Sequence, residues 1–393
     1  VRAAALGVAV VLASGVAPCP DAVATLPALS PFVAAASLLA ARTATTVTLL
    51  ALPVLVLALI RRRWFCRWAC PTGFLAENAG RLRRGGGAGG WPRLGLWVAL
   101  GTLGGAAIGY PVLLWMDPLT IFSGLLGAWR TPVTAASVAA ALGLPLVLLV
   151  SLLWPGAWCG RLCPLGAIQD LLAEPRRWWH ARREGPRADV PPPAGPRLGR
   201  RAVAAACVGG AIALATAPVR GKAAVVRPPG ALDEARFLGL CARCGACARV
   251  CPSGILRPDL GRAGVAGLLA PAADFDTDFC RADCNACCRA CPSGAIARLP
   301  LEAKRRAKMG LARIDLGECL LPAGRECSSC FAACPYDALE RVESPDGFVS
   351  MPRVIEDRCT GCGACESACP VRPKRAARVF APGEAVPGPA TGT

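Results

Sequence analysis

Four times in its second half the chain sets four cysteines in a short run closed by Cys-Pro, and no other feature constrains the fold as much. Cys241, Cys244, Cys247 and Cys251 follow the spacing Cys-x2-Cys-x2-Cys-x3-Cys-Pro, and Cys359, Cys362, Cys365 and Cys369 repeat it without deviation. Cys280, Cys284, Cys287 and Cys291 widen the first gap to three residues, and Cys319, Cys327, Cys330 and Cys334 widen it to seven. Three thiolates from one tight loop reach three irons of a cubane, while the fourth cysteine starts the next element and ligates the partner cluster. The proline after it carries no N–H and directs the chain away. Gly245-Ala246 and Gly363-Ala364 let the loops wrap closely. The sixteen cysteines are therefore expected to hold four [4Fe–4S] clusters. Zinc ribbons use two Cys-x2-Cys pairs with a longer spacer, which is a different pattern. Two pairings use all sixteen ligands: first run with second and third with fourth, or outer with outer and inner with inner.

Composition narrows the alternatives. An odd total of 23 cysteines argues against a closed disulfide framework, as does a long chain that is 54% apolar with mean hydropathy +0.45. The single histidine, His180, excludes bis-histidine haem, Cys-x-x-Cys-His haem attachment and His-rich zinc or copper sites. No Rossmann glycine fingerprint follows a strand, so hydride transfer from a nicotinamide is not expected; the Gly85–Gly90 run reads as a flexible loop. A row of clusters conducts by tunnelling and needs no general acid or base, so no catalytic residue is assigned.

The first half holds apolar segments near bilayer-spanning length. Five are read: Val1 to Ala17, Thr43 to Ile60, Leu94 to Leu114, Val133 to Trp154 and Ala202 to Ala217. The loops after the second and fourth contain seventeen arginines, against two (Arg42 and Arg130) in the other connections. By the positive-inside rule those two loops and the N-terminus are cytoplasmic, and everything after Ala217 lies outside. The net charge of +18 thus reports membrane topology and not nucleic-acid binding.

Both basic loops carry the same motif, Cys-x3-Cys-Pro-x-Gly, at Cys66/Cys70/Pro71/Gly73 and at Cys159/Cys163/Pro164/Gly166. The membrane half is an internal repeat of two hairpins. Three readings fit the four thiols: one further metal cluster, two separate redox dithiols, or structural cysteines. Four soft thiolates suit iron–sulfur chemistry. Cys19 has no evident partner, Cys207 reads as a packing residue, and Cys288 is either a packing thiol or an alternative to Cys287. Glu77, Asp117 and Asp170 are the acids placed to handle protons, each also readable as an ordinary loop residue.

The expected fold class is an α-helical membrane domain of about five spans followed by an α+β polyferredoxin domain of bacterial-ferredoxin-like repeats. Its parts are a four-span domain with both Cys-x3-Cys-Pro motifs (1–175), a cytoplasmic basic and Pro-rich linker (176–200), a fifth span or signal anchor (201–218), the four-cluster domain (219–380) and a disordered tail (381–393). Arg200-Arg201 before an Ala-rich stretch reads equally as a twin-arginine export signal or as plain positive-inside charge.

On these motifs, residues from about 227 to 380 resemble the periplasmic polyferredoxins of the MauM/NapG type, with matching stretches Arg227-Pro-Pro-Gly-Ala-Leu and Ala307-Lys-Met-Gly-Leu-Ala. Residues 1 to about 175 resemble the NapH-type quinol dehydrogenase membrane subunit, whose Cys-x3-Cys-Pro motifs the NosR membrane proteins share. The chain thus looks like a fusion of two subunits, without the cytoplasmic two-cluster ferredoxin usual in NapH-type subunits or the flavin region of NosR proteins. The resemblance implies oxidation of membrane quinol in a bacterial inner membrane, with electrons passed to a periplasmic reductase or cytochrome, as for nitrate or nitrous oxide. It also admits a redox maturation factor for a periplasmic metalloenzyme, or a subunit of a larger enzyme.

Overall fold

A computed structural model describes residues 1–14, 22–42, 48–83, 91–130, 133–183, 200–220, 225–343 and 350–384. Cys19, the ends of the first two expected spans, the Pro-rich linker and most of the tail lie outside the described residues.

The first half is helical. The elements are α1 (Arg2–Ser14), α2 (Ala22–Ala28), α3 (Pro31–Ala41), α4 (Leu52–Ile60), α5 (Trp64–Trp68), α6 (Pro71–Arg81), α7 (Leu94–Ala107), α8 (Pro118–Arg130), α9 (Ala135–Ala141), α10 (Gly143–Leu153) and α11 (Pro164–Arg183). One turn of π-helix, Trp158–Leu162, precedes α11. Among the described residues one helix, Ala135–Leu153, is by itself long and apolar enough to cross a membrane. The pair α2 and α3 meets the same measure only together and is bent by 91°. The other expected spans appear as shorter apolar helices. The sequence reading missed α2, α3 and α8, which it had left in the connections: Pro27, Pro31 and Pro118 interrupt the apolar runs there, so no single segment reaches spanning length.

A long helix α12 (Arg200–Arg220) returns to pack along α7. Gly101 meets Ala205 and Gly209, and Gly105 meets Gly209 and Ala213, so contacts advance together and the two helices run parallel. The backbones approach so closely that a Cβ on Gly104 would stand 2.1 Å from the Ala206 carbonyl oxygen, the small-residue packing used between membrane helices. Cys207 is exposed on α12. This corrects its reading as a packing residue: the contacts with α7 are made by Ala205, Ala206, Gly209 and Ala213, and the Cys207 side chain lies off that face.

The second half is a pair of matching units built on short elements: α13 (Glu234–Leu240), α14 (Ala246–Val250), α15 (Ala286–Arg289), α16 (Leu301–Arg306), α17 (Ser329–Ala333) and α18 (Ala364–Ala368), with β1 (Leu256–Pro258), β2 (Pro271–Ala273), β3 (Leu311–Ile314), β4 (Leu339–Glu343), β5 (Ser350–Val354) and β6 (Ala377–Phe380). In the first unit β1 pairs antiparallel with β2, and an isolated bridge joins Ala231 to Ile296. In the second, β4 pairs with β5 and β3 closes on β6, Leu311 opposite Phe380. Each unit therefore brackets two consecutive cysteine runs with its own end-to-end strand contact.

Candidate metal centres

In each run a tight loop carries the first ligands, a helix of one turn carries the third, and the fourth leaves the loop toward the other run. Cys251, Cys334 and Cys369 end α14, α17 and α18 in extended conformation, at φ −74, −77 and −64. An extended residue after a helical turn points its side chain away from the loop it has just left, which turns the fourth thiol outward. Where a run has Gly245 or Gly363, that residue takes positive φ (67 and 84) before the helix, a conformation open to glycine at no steric cost.

The destination of each fourth thiol resolves the pairing. Cys291 lies close enough to act electrostatically on Cys241, Cys244 and Cys247. Cys251 acts on Cys280, Cys369 on Cys319, and Cys334 on Cys362 and Cys365. The runs exchange their last cysteines in order, first with second and third with fourth; the nested alternative is excluded. Cys241, Cys244, Cys247 and Cys291 border one cavity, and Cys334, Cys359, Cys362 and Cys365 border another. Backbone amides point at the sulfurs, Ile296 N at Cys291 (3.4 Å), Ala338 N at Cys334 (3.3 Å) and Ala312 N at Cys359 (3.5 Å). Burial raises these thiols, Cys244 to about 12 and Cys280 to about 11. Among the described residues no group of three or more ligating side chains closes around a single ion.

The four sets lie in the spatial order first, second, fourth, third. Cys280 N donates to Cys362 O (2.8 Å), joining the second and fourth loops. Lys304, 2% exposed, lies at that junction; its Nζ donates to Arg281 O and its charge acts on Cys280 and Cys362. A buried ammonium needs a compensating negative charge, and a thiolate-ligated cluster on either side would provide one. Cys288 is fully buried and its thiol donates to Pro229 O (3.3 Å), which makes it a packing thiol.

The first loop faces the helical half. Arg249 donates to Ser123 O on α8, Arg243 stacks over Trp115 (5.6 Å), and Gly124 and Gly127 of α8 line the cavity of the first set. The other end of α8 meets the Cys-x3-Cys-Pro loops, with Thr72 Oγ1 donating to Pro118 O (2.7 Å). Asp117 caps this end: its carboxylate accepts from Leu119 N (3.0 Å), Thr120 N (3.1 Å) and Ser30 Oγ (2.5 Å). It is fully buried, and burial outweighs these hydrogen bonds and raises its pKa to about 6.

The four helical-half thiols converge. Cys70 and Cys159 act on Cys66, Cys159 and Cys163 act on Cys70, and Cys66 acts on Cys163. Burial raises Cys66, Cys70 and Cys163 well above the ordinary thiol range and Cys159 to about 11. The two motifs therefore bring their four thiols to one place. The motif glycines have a physical role: Gly73 N donates to Cys70 Sγ (3.3 Å) and Gly166 N to Cys163 Sγ (3.4 Å). A Cβ at Gly73 would stand 2.9 Å from Cys66 O, and one at Gly166 3.1 Å from Cys159 O. Cys66 Sγ accepts from Gln169 Nε2 (3.2 Å). Sequence reasoning missed Gln169, Arg63 and Lys304; for Gln169 the signal was its place in the second hairpin, six residues past Cys163.

Of the remaining acids, Asp170 accepts from Arg62 (2.7 Å) and Arg63 (2.7 and 2.8 Å). Burial pushes its pKa up, but the two guanidinium groups outweigh this and hold it below the usual carboxylate range. Glu77 pairs with Arg2 (2.5 Å) and Arg81 (2.6 Å) and is held low, chiefly by the Arg2 hydrogen bond.

Comparison with known proteins follows this geometry. A family model described as a 4Fe-4S binding domain matches residues 43–86 and 137–184, the two Cys-x3-Cys-Pro loops with their flanking helices. Two models described as 4Fe-4S dicluster domains match 240–296 and 325–372, one in each ferredoxin-like unit. The methylamine utilization ferredoxin-type protein MauM of Methylobacillus flagellatus is 38% identical over 37% of this chain and 64% of its own length. MauM of Paracoccus denitrificans is 36% identical over 43% of this chain and 78% of its own. The ferredoxin-type protein NapG of Escherichia coli is 34% identical over 43% of this chain and 77% of its own. No solved structure matches the chain.

Proposed function

Because the chain belongs to the family of ferredoxin-type iron–sulfur electron-transfer proteins that includes MauM and NapG, we propose that it carries electrons from the membrane quinol pool, by way of four [4Fe–4S] clusters, to a periplasmic reductase of the nitrate or nitrous-oxide type. The observation that carries this reading is the sorting of sixteen cysteines into four complete sets. The ligands are Cys241, Cys244, Cys247 with Cys291; Cys280, Cys284, Cys287 with Cys251; Cys319, Cys327, Cys330 with Cys369; and Cys359, Cys362, Cys365 with Cys334. When bound, such clusters supply one-electron redox sites whose potentials their surroundings set. The chain's own contribution is to exclude water around the buried thiols, aim amides at the sulfurs and hold the sets in a row from α8 outward.

Residues 1–175 serve, in this reading, as a NapH-type membrane subunit fused to the polyferredoxin, with Cys66, Cys70, Cys159 and Cys163 holding a fifth cluster. The convergence of the four thiols and the 4Fe-4S match over both loops support it. The membrane is crossed about five times, with the N-terminus inside and the polyferredoxin outside. The parallel run of α7 and α12 supports this, since both expected spans leave the cytoplasm in the same direction. Gly95 at the start of α7 lies against Cys163, and Tyr110 beyond its end lies against Gly239, so the two regions sit at opposite ends of that helix. A reporter fused after Phe380 should be active only on export, and one inserted at 176–186 only in the cytoplasm; the reverse pattern overturns the topology.

The donor is tested directly on the purified chain. Menadiol should reduce the clusters, read as bleaching of their visible absorbance and as EPR signals. Reduction by dithionite but not by menadiol would overturn the quinol reading.

A further inference from the structure

The two Cys-x3-Cys-Pro hairpins are sequence equivalents: Cys66 corresponds to Cys159, Cys70 to Cys163, Gly73 to Gly166, Ala76 to Gln169 and Glu77 to Asp170. Most of what surrounds the four thiols respects this repeat. Gly73 N donates to Cys70 Sγ and Gly166 N to Cys163 Sγ, at 3.3 and 3.4 Å. Charge is matched as well. Asp170 pairs with Arg62 and Arg63, and Glu77 with Arg2 and Arg81, so each side sets one carboxylate between two guanidinium groups. Arg67, the other arginine of the cavity beside Glu77, is exposed.

One position breaks the match. Gln169 on α11 reaches across to the first hairpin, where its Nε2 donates to Cys66 Sγ (3.2 Å). Its counterpart Ala76 carries no donor, and among the described residues nothing donates to Cys159 Sγ. Gln169 has no accessible surface, so water cannot take the place of its N–H. An iron-bound thiolate has no proton to give, so of the two amide atoms only Nε2 can face it. The other, Oε1, is buried and accepts no hydrogen bond among the described residues. That lowers stability, and a leucine of similar size would avoid it. What the amide adds over a leucine is the one bond to sulfur.

We propose that Gln169 is a positioning residue that tunes electron transfer: its N–H bond to Cys66 Sγ raises the reduction potential of an iron–sulfur site held by Cys66, Cys70, Cys159 and Cys163. Uptake of one electron makes such a site more negative, and the sulfurs share that charge. A donor aimed at sulfur therefore stabilises the reduced form more than the oxidised one. Exclusion of water strengthens the effect. No bond to iron changes, and no proton leaves Gln169. The inference rests on the reading of the four thiols as a cluster site and adds what sets its potential.

The test is a redox titration of the purified full chain followed by EPR, with dithionite as reductant. The signal missing from Cys163→Ser identifies the site. Gln169→Leu keeps the volume and removes the N–H. It should lower the potential by about 59 mV, a tenfold loss of one-electron affinity. Ala76 and Cys159 border one cavity, so a longer side chain has room there. Ala76→Gln installs the second-hairpin donor in the first and should raise the potential by up to the same amount. Iron content should stay at the parental level in both. An unmoved potential in either variant at parental iron overturns the proposal. Loss of iron from Gln169→Leu also overturns it, because the residue would then be structural. If the parent and Cys163→Ser hold equal iron, the thiols bind no cluster and the reading beneath the proposal has failed. With about four irons between them and unmoved potentials, that reading stands and only the role of Gln169 fails.

Discussion

The two halves of the molecule build four-thiol sites by opposite routes. In the ferredoxin-like half three thiols come from one run and a single thiol crosses from its neighbour, so local spacing does most of the assembly. In the helical half no loop holds more than two, and the site exists only because helix packing brings Cys66/Cys70 against Cys159/Cys163. The first kind of site is written in a stretch of about a dozen residues. The second depends on the whole bundle, through contacts such as Gly95 against Cys163 and Thr72 on Pro118. A locally written site tolerates change elsewhere in the chain; a bundle-written site is lost as a unit.

The sharpest way to break this contrast is to remove one ligand from each. Cys163→Ser should empty the whole helical-half site, costing about four irons and leaving the other sixteen cysteines loaded. Loss of iron from one loop alone would mean two independent sites. In the ferredoxin half, Cys291→Ser should perturb the cluster of the first run and spare the three cysteines around Cys287. Under nested pairing Cys369→Ser would do this instead, so the two variants compared by EPR decide between the pairings.

Smaller effects sharpen the picture. Lys304→Met removes a buried cation between the second and fourth loops and should lower the potentials there, since a reduced cluster carries more negative charge. The expected shift is about 60 mV, a tenfold change in one-electron affinity; redox titration followed by EPR measures it. Unchanged potentials would mean that Lys304 serves packing alone. The smallest effect belongs to Asp117→Asn. Asn caps a helix as well as Asp, so the melting profile should move little, within about 1 kcal/mol; a large loss would assign the buried carboxylate a role beyond capping α8.

Much of the ferredoxin half was legible because its ligands, turn residues and prolines lie within one short segment. Pairing was not, because spacing fixes which thiols leave a loop and says nothing of where they arrive. That needed the Ala231–Ile296 bridge and the β3–β6 pair, both contacts between distant residues. In the helical half the repeated motif was plain, but α8 was hidden in a connection. Only the packing shows that α8 lies between the thiol loops and the first ferredoxin loop. From Asp117, beside the thiol loops, to Ser123, beside Arg249, the helix rises only about 9 Å. The asymmetry of the hairpins was present in the sequence at Ala76 and Gln169, yet it acquires meaning only once the two loops face each other.

The most direct test of the central claim, that both routes produce iron–sulfur sites in one chain, is iron and acid-labile sulfide analysis of the purified full-length protein. Five complete sets predict about twenty irons and twenty sulfides per chain, falling to about sixteen of each in Cys163→Ser. About sixteen in the parent, unchanged by Cys163→Ser, would show that the converging thiols of the helical half hold no cluster. Stoichiometric zinc with little iron would contradict the account altogether.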